Sequence, residues 1–271
     1  MAPVEEVVTV AVHVAEAAAN LHTAVRGTGG PDVTASARYV ERRSWIAEYF
    51  DRTAAHHWKA LTSDAKVSRV RATVRAGRDR MRRTLLAALP VDLSGQRVLD
   101  AGCGTGVLAM DLARRGAQVT AIDLSPTLVA HARETAAASG VPGIDFQDGD
   151  MLAAGLGEFE WVVGMDSLIH YDVAEMVGAL ETLAPRVSRG IVFTVAPKTW
   201  LLSVMWTVGR LFPRHDRAPS IVPVDAADLE RRVALSTALA GWRIVGKTKV
   251  EQGFYRSQAI VLLRDAARGS A

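Results

Sequence analysis

The chain has 271 residues and a net charge of +3, enough for one α/β domain with additions and too little for two domains of ordinary size. With 49% apolar residues a large core can be buried, and so slight a basic excess does not argue for nucleic acid. The single cysteine, Cys103, excludes a disulfide framework and fits a reducing cytoplasm. No run reaches the roughly 20 apolar residues that span a bilayer, and the start Met1-Ala-Pro-Val-Glu-Glu6 lacks the cationic region of a secretion signal.

Residues 1–35 are rich in Ala and Val, then turn to Arg26-Gly-Thr-Gly-Gly-Pro-Asp32; they read as a flexible N-terminal extension. Residues 36–90 read as an N-terminal helical arm. Its first helical pattern runs from Ser36 through Trp45 to Phe50, its second is short and centred on Trp58, and its third covers 68–89. In the third, Val70, Val74, Met81 and Leu85 form an apolar stripe, while Arg71, Arg75, Arg78 and Arg82 recur at four, three and four residues. Two readings of that arginine row stay open: a solvated face beside the stripe, or a site for carboxylates, which guanidinium recognises in a planar, two-pronged way.

After Pro90 the stretch Arg97-Val-Leu-Asp-Ala-Gly-Cys-Gly-Thr-Gly-Val107 organises the rest. An apolar strand runs into Asp100, a loop carries glycines at 102, 104 and 106, and a helical pattern begins at Val107. Glycine suits backbone that takes positive φ or lets a ligand approach without a Cβ in the way. The helix that follows turns free N–H groups and a positive dipole end toward whatever lies over the loop. The dinucleotide fingerprint would place its third glycine one residue later, and a phosphate-cradling Walker loop would need Gly-Lys-Ser/Thr. The second strand, Gln118–Asp123, ends in an acid placed for two ribose hydroxyls. Together these residues resemble the S-adenosylmethionine site of class I methyltransferases. That site is expected over Asp100, Ala101, Gly102, Cys103, Gly104 and Gly106, then Asp123, Leu124 and Ser125. A dinucleotide enzyme, or a bare tight turn in an α/β fold, is the competing reading.

Further along, helix 126–138 has Pro126 in its first turn, and strand 144–147 leads to Asp150 and Met151. In such folds that loop meets the adenine, the acid accepting from the exocyclic amine and the methionine packing on the ring. Strand 161–166 ends in Asp166-Ser-Leu-Ile-His-Tyr171 at the carboxyl edge of the sheet, with Asp166 assigned to the cofactor. Helix 172–184, strand 191–195 and a terminal hairpin of strands 242–250 and 257–263 follow. The β-α-β alternation predicts a doubly wound, mostly parallel seven-stranded sheet over 91–265. A helical insertion, 197–224, interrupts it after the fifth strand. It holds Trp200, Trp206 and Phe212 within 13 residues although aromatics are 6% of the chain. Such an apolar run needs a cover, and a large apolar substrate or a membrane surface would provide one.

Several separated markers over about 36–265 resemble the magnesium-protoporphyrin IX O-methyltransferases of bacteriochlorophyll-making bacteria. They are Glu48-Tyr-Phe-Asp51, Trp58 and Val67-Ser-Arg-Val70, then Asp166–Tyr171, Val195-Ala-Pro-Lys198, Leu211-Phe-Pro-Arg214, Asp216-Arg-Ala-Pro219 and Gly253-Phe-Tyr-Arg-Ser-Gln258. The resemblance implies S-adenosylmethionine as methyl donor and S-adenosylhomocysteine as its product. The acceptor it implies is one propionate carboxylate of magnesium protoporphyrin IX, converted to the monomethyl ester. It also implies contact with the large subunit of magnesium chelatase and a loose association with photosynthetic membranes.

A metalloporphyrin is a flat apolar disc with carboxylates on one edge, so it asks for an aromatic cover and for cations. The catalytic candidates are His170, which would hydrogen-bond and orient the carboxylate, and Tyr49. Candidates for substrate contact are Tyr39, Tyr171, Trp200, Trp206 and Arg75. A tyrosine near Trp58 in some relatives stands here as Thr62. No His/Cys/carboxylate cluster has metal-ligand spacing, so the magnesium is expected to arrive with the substrate.

Two rivals remain at this stage. One is a methyltransferase of another small O-nucleophile, quinone or polyketide-like; the other is a non-catalytic tetrapyrrole-binding module. A nucleic-acid amino methyltransferase would need a flipped-base clamp where Asp166-Ser-Leu-Ile169 stands, and the sole thiol, already in the glycine loop, excludes a cysteine-nucleophile cytosine methyltransferase.

Overall fold

A computed structural model describes residues 39, 42–44, 46–47, 69–198 and 221–265. The extension 1–35, Tyr49, Trp58, Trp200 and Trp206, with most of the insertion 197–224, lie outside these described residues.

Seven strands form one continuous sheet in the order β3-β2-β1-β4-β5-β8-β7, and a two-residue β6 pairs with β5 off that path. The strands are β1 Arg97–Ala101, β2 Gln118–Asp123, β3 Ile144–Asp148, β4 Phe159–Gly164, β5 Val187–Pro197, β6 Pro223–Val224, β7 Trp242–Gln252 and β8 Tyr255–Arg264. All neighbouring pairs through β5 are parallel, and β8 runs antiparallel between β5 and β7. The doubly wound sheet and the closing hairpin are as the sequence predicts; β6 is an addition to the seven expected strands.

Helices cover both faces, which is why β4 and β5 read as nearly continuous apolar runs. On one face α1 (Arg69–Ala87), α2 (Val107–Arg114) and α3 (Pro126–Ala138) contribute Met81, Leu85, Leu108, Leu112, Val129 and Ala132 to a core that reaches Val98, Val163 and Val192. On the other, α4 (Val173–Leu183) and α5 (Ala226–Leu235) pack Met176, Leu180, Leu229 and Val233 against Leu99, Val162, Ile191 and Phe193.

Boundaries differ from the sequence reading by one to four residues, among them those of β4, β5 and α4. β4 starts and ends two residues earlier than 161–166. β5 starts at Val187, four residues before the expected 191, through polar Ser188 and Arg189. Helix α4 starts at Val173 because Asp172 is its cap: Asp172 Oδ1 accepts from Glu175 N at 2.9 Å, and Glu175 Oε2 accepts from Asp172 N at 2.8 Å. That reciprocal box satisfies two orphan donors at once.

Strand order reverses between β1 and β4. Chains that wind outward from such a point leave a crevice at the carboxyl ends of the strands, and the functional residues gather there.

Candidate active site

A cavity of about 350 Å3 opens over the β1–α2 loop, at the lower end of the range for small-molecule sites. The loop is bent by glycines at φ +83 (Gly102), +53 (Gly104) and +77 (Gly106). Gly102 and Cys103 donate their N–H groups to Ile122 O at 2.8 and 2.9 Å. Gly104 N donates to Asp123 Oδ2 at 2.8 Å, and Ser125 N to Asp123 Oδ1 at 3.0 Å. The loop is therefore pinned to the end of β2 by one carbonyl and one carboxylate. Gly102 is the position where a side chain is sterically forbidden: a Cβ there would stand 2.4 Å from Ser167 Cβ.

The floor of this cavity is acidic. Asp100 is 1% exposed, and burial together with the neighbouring charge of Asp123 pushes its carboxyl up to about 7. Burial raises Asp123 as well, partly offset by the N–H groups of Ser125, Gly104 and Leu124. Asp100 Oδ2 is buried without a hydrogen-bond partner. Two adjoining carboxylates and one orphaned acceptor are an invitation to a cation that also carries donors. A sulfonium-bearing amino acid joined to a ribose fits that floor chemically.

The acid pair carries a pH signature. Asp100 has a folded-state pKa of about 7, above the roughly 3.9 of an unfolded aspartate. Its contribution to stability is therefore fully present below about pH 4 and is lost as pH rises toward 7. A bound cation favours the ionised form, so binding at pH 6 should release roughly one proton. Calorimetric titration of S-adenosylmethionine in buffers of different ionisation enthalpy should show that release, with affinity rising from pH 6 to 8. Identical heats in all buffers would remove Asp100 from the site.

The opposite wall comes from the arm. Tyr39 hydroxyl donates to Asp150 Oδ1 at 2.7 Å, and Arg43 pairs with Asp150 Oδ2 at 2.8 Å. Arg42 bridges Glu175 at 3.1 Å and donates to His170 O at 2.9 Å. The Tyr39 and Tyr171 rings stack, with centroids 5.2 Å apart and planes at 21°. Both phenols are held above their usual pKa, first by burial, so both stay neutral hydrogen-bonding groups. His170 is 8% exposed and ends a 3₁₀ turn, 168–170, on the cavity wall. Because Asp172 caps the following helix, His170 is not needed for that purpose.

Among the sequence-predicted residues, the cavity gathers Asp100, Gly102, Cys103, Gly104, Asp123, Leu124, Asp150, Met151 and Asp166, with Tyr39, Arg75, His170 and Tyr171. Three assigned to the cofactor do not line it. Ala101 is buried within β1. Ser125 Oγ caps α3 by accepting from Leu128 N at 3.2 Å. Gly106 faces α3, where a Cβ would meet Ala132 Cβ at 2.9 Å. The Cys103 thiol is pushed well above its usual pKa, by burial first and then by Asp100 and Asp123, which leaves it without nucleophilic character.

The arginine row divides. Arg75, Arg78 and Arg82 line the cavity; Arg78 pairs with Asp166, and Arg82 with Asp79 and Asp111. It is neither a plain solvated face nor a set of unengaged cations. Sequence reasoning missed Ser167, whose buried Oγ has no partner, and also Thr194 and Tyr255, which both hydrogen-bond Asp166. Asp166-Ser167 was visible as the end of a strand; Tyr255 lay in a family marker with nothing to say what it bonds, and Thr194 carried no local signal.

Comparison with known proteins fits this arrangement. Residues 164–264 match the family model described as "Magnesium-protoporphyrin IX methyltransferase C-terminus", and residues 98–190 match a general methyltransferase domain. The chain is 45% identical over 223 residues to a magnesium-protoporphyrin O-methyltransferase of Rhodobacter capsulatus, covering 82% of this chain and 96% of that protein. It is 32% identical to the chloroplast magnesium protoporphyrin IX methyltransferase of Arabidopsis thaliana, over 79% of this chain and 69% of the relative. The crystal structure of the Synechocystis magnesium protoporphyrin IX methyltransferase with bound S-adenosylhomocysteine superposes with a TM-score of 0.70 at 28% identity, covering 82% of this chain and all of the other.

Proposed function

The chain belongs to the magnesium-protoporphyrin O-methyltransferase family, and from that premise we propose how its cavity esterifies a propionate carboxylate of magnesium protoporphyrin IX in chlorophyll or bacteriochlorophyll synthesis. The observation that carries the reading is one cavity with an acidic floor at Asp100 and Asp123 and a wall of α1 arginines beside His170. The floor suits the cationic donor and the wall suits an anionic acceptor.

S-adenosylmethionine supplies, when bound, a methyl group on a positively charged sulfur. Asp123 would hold the ribose hydroxyls, Asp100 the donor's cationic end, and Asp150 with Met151 the adenine. Asp150 would meet the ring already oriented by Tyr39 and Leu152 N on Oδ1 and by Arg43 on Oδ2, with Oδ2 keeping a lone pair for another donor. The acceptor has a reference pKa near 4 and is anionic at neutral pH, so the chain needs no strong base. What remains is alignment, with reacting atoms roughly 3 Å apart, and exclusion of water. His170 would fix one carboxylate oxygen, Arg75 would draw the propionate edge inward, and the stacked Tyr39–Tyr171 pair would offer a flat apolar face. Tyr49, Trp200 and Trp206 keep the roles assigned from sequence, Tyr49 in catalysis and the tryptophans as macrocycle cover.

A quinone-type acceptor is disfavoured because the family-specific match covers 164–264, the segment bearing the catalytic turn and the hairpin. A non-catalytic module is disfavoured by the intact glycine loop. Contact with the large subunit of magnesium chelatase and peripheral contact with a membrane belong to the same reading. Their support is physical: the macrocycle is poorly soluble, and the 200–213 run is apolar. Among the described residues no helix is long and apolar enough to cross a membrane.

The test is direct. With magnesium protoporphyrin IX and methyl-labelled S-adenosylmethionine, label should appear in a monoester that mild alkali cleaves. Cofactor binding without any such ester would overturn the assignment.

A further inference from the structure

Three elements converge on Asp166, and the roles assigned above do not account for it. Asp166 follows β4 by two residues and holds φ +58, the one left-handed non-glycine among the described residues. Such a conformation persists where the surroundings over-determine it, and it clusters at functional sites. Here they do so from three directions. From β5, Thr194 Oγ1 accepts from Asp166 N at 2.7 Å and returns its hydroxyl to Asp166 Oδ1 at 3.3 Å. From β8, the Tyr255 hydroxyl bridges both carboxylate oxygens at 3.1 and 3.3 Å. From α1, the Arg78 guanidinium pairs with Asp166 Oδ2.

The approach of Tyr255 depends on α1 having no side chain at Gly77, where a Cβ would lie 2.6 Å from Tyr255 Cβ. Thr194 is 0% exposed and Tyr255 9%, so water competes little for these bonds. The turn fixed in this way carries Ser167 onto Gly102 and His170 onto the cavity wall.

We propose that Tyr255, Thr194 and Arg78 are positioning residues for the methyl transfer. Together they clamp Asp166 in its left-handed conformation, and the clamped turn sets the orientation of His170. Asp166 on this account is a keystone of the turn and not a ligand of the donor, contrary to its reading from sequence. The proposal rests on the methyltransferase assignment, so its test carries one arm that does not need turnover.

Tyr255→Phe deletes one hydroxyl and leaves the ring against Gly77. Its kcat should fall about 10-fold or more, as expected for a displaced reacting group, while the Kd for S-adenosylhomocysteine stays within about 3-fold. Exchange of the backbone amides over 166–171 should quicken about 10-fold. Asp166→Asn accepts the left-handed conformation and keeps an acceptor, so it should retain at least about a fifth of kcat, whereas Asp166→Ala should lose about 100-fold. Wild-type kcat and wild-type exchange in Tyr255→Phe would overturn the clamp. So would a Kd in Asp166→Ala that rises in step with the loss of kcat, because that marks a donor ligand. If the wild-type protein makes no ester, the methyltransferase reading fails while the exchange measurement still decides on the clamp.

Discussion

Gly102→Ala is expected to lower affinity for S-adenosylhomocysteine by about 100-fold, the equivalent of roughly 3 kcal/mol. Two separate costs lead there. At φ +83 a side chain brings the left-handed penalty of about 1–2 kcal/mol. The new Cβ would also stand 2.4 Å from Ser167 Cβ and 3.5 Å from Ser167 Cα. That neighbour is not the far end of a flexible chain; it belongs to the turn anchored by Asp166. Either the glycine loop or the catalytic turn must move, and both border the cofactor cavity.

Gly95→Ala separates the two costs. Gly95 has φ +74, but a Cβ there meets nothing within 4 Å. It should show the backbone penalty alone, with a melting point lower by about 2–5 °C and unchanged cofactor affinity. Gly102→Ala should melt about 6–12 °C lower. Equal affinity in Gly102→Ala and wild type, by calorimetry, would show that the loop tolerates a side chain and that the cradle is misassigned.

How legible was all this from the chain? Local features read well because their causes are local. The apolar run into Asp100, the glycine spacing and the acid at Asp123 lie within 27 residues of one another, and the loop that pins them together is built from those same residues. The helix over 126–138 announced itself through Pro126, while the cap at Ser125 shows only in the structure. What stayed hidden depends on partners far along the chain. Asp150 is engaged by Tyr39 and Arg43, which are 111 and 107 residues away. Asp166 answers to Arg78 and Tyr255 at separations of 88 and 89. No periodicity encodes such meetings, so the sequence could name the carboxylates but not what holds them.

One misreading has a specific physical cause. β5 looked shorter because Ser188, Arg189 and Gly190 break its apolar run, yet Gly190 belongs to the strand and leaves room for the Trp161 ring, 2.5 Å from where its Cβ would be. Gly106, assigned to the cofactor because it completes the motif, has a packing use as well. Its missing side chain leaves room for Ala132 of α3, 2.9 Å from where a Cβ would stand, so part of the motif's spacing answers to packing.

His170→Ala should reduce kcat by about 100-fold while leaving the Kd for S-adenosylhomocysteine within about 3-fold of wild type. The split follows from position. The donor's expected contacts are the β1 loop, Asp123 and the Asp150 loop, whereas His170 belongs to a separate cavity-lining element, the turn 168–170. Backbone bonds that do not involve the imidazole add to the Asp166 clamp here: His170 O accepts from Arg42, Tyr171 N closes on Leu168 O at 3.1 Å, and Ile169 O accepts from Val222 N at 2.8 Å. Removing the imidazole therefore deletes a side chain without releasing the turn. The carboxylate acceptor needs no proton removed, so the loss measures alignment and not base catalysis. His170→Gln, which restores a hydrogen-bond donor at similar reach, should recover part of the rate, and the rate of His170→Ala should gain nothing from higher pH. A wild-type kcat in His170→Ala would reduce the histidine to packing, and a parallel loss of cofactor affinity would move it to the donor's side of the cavity.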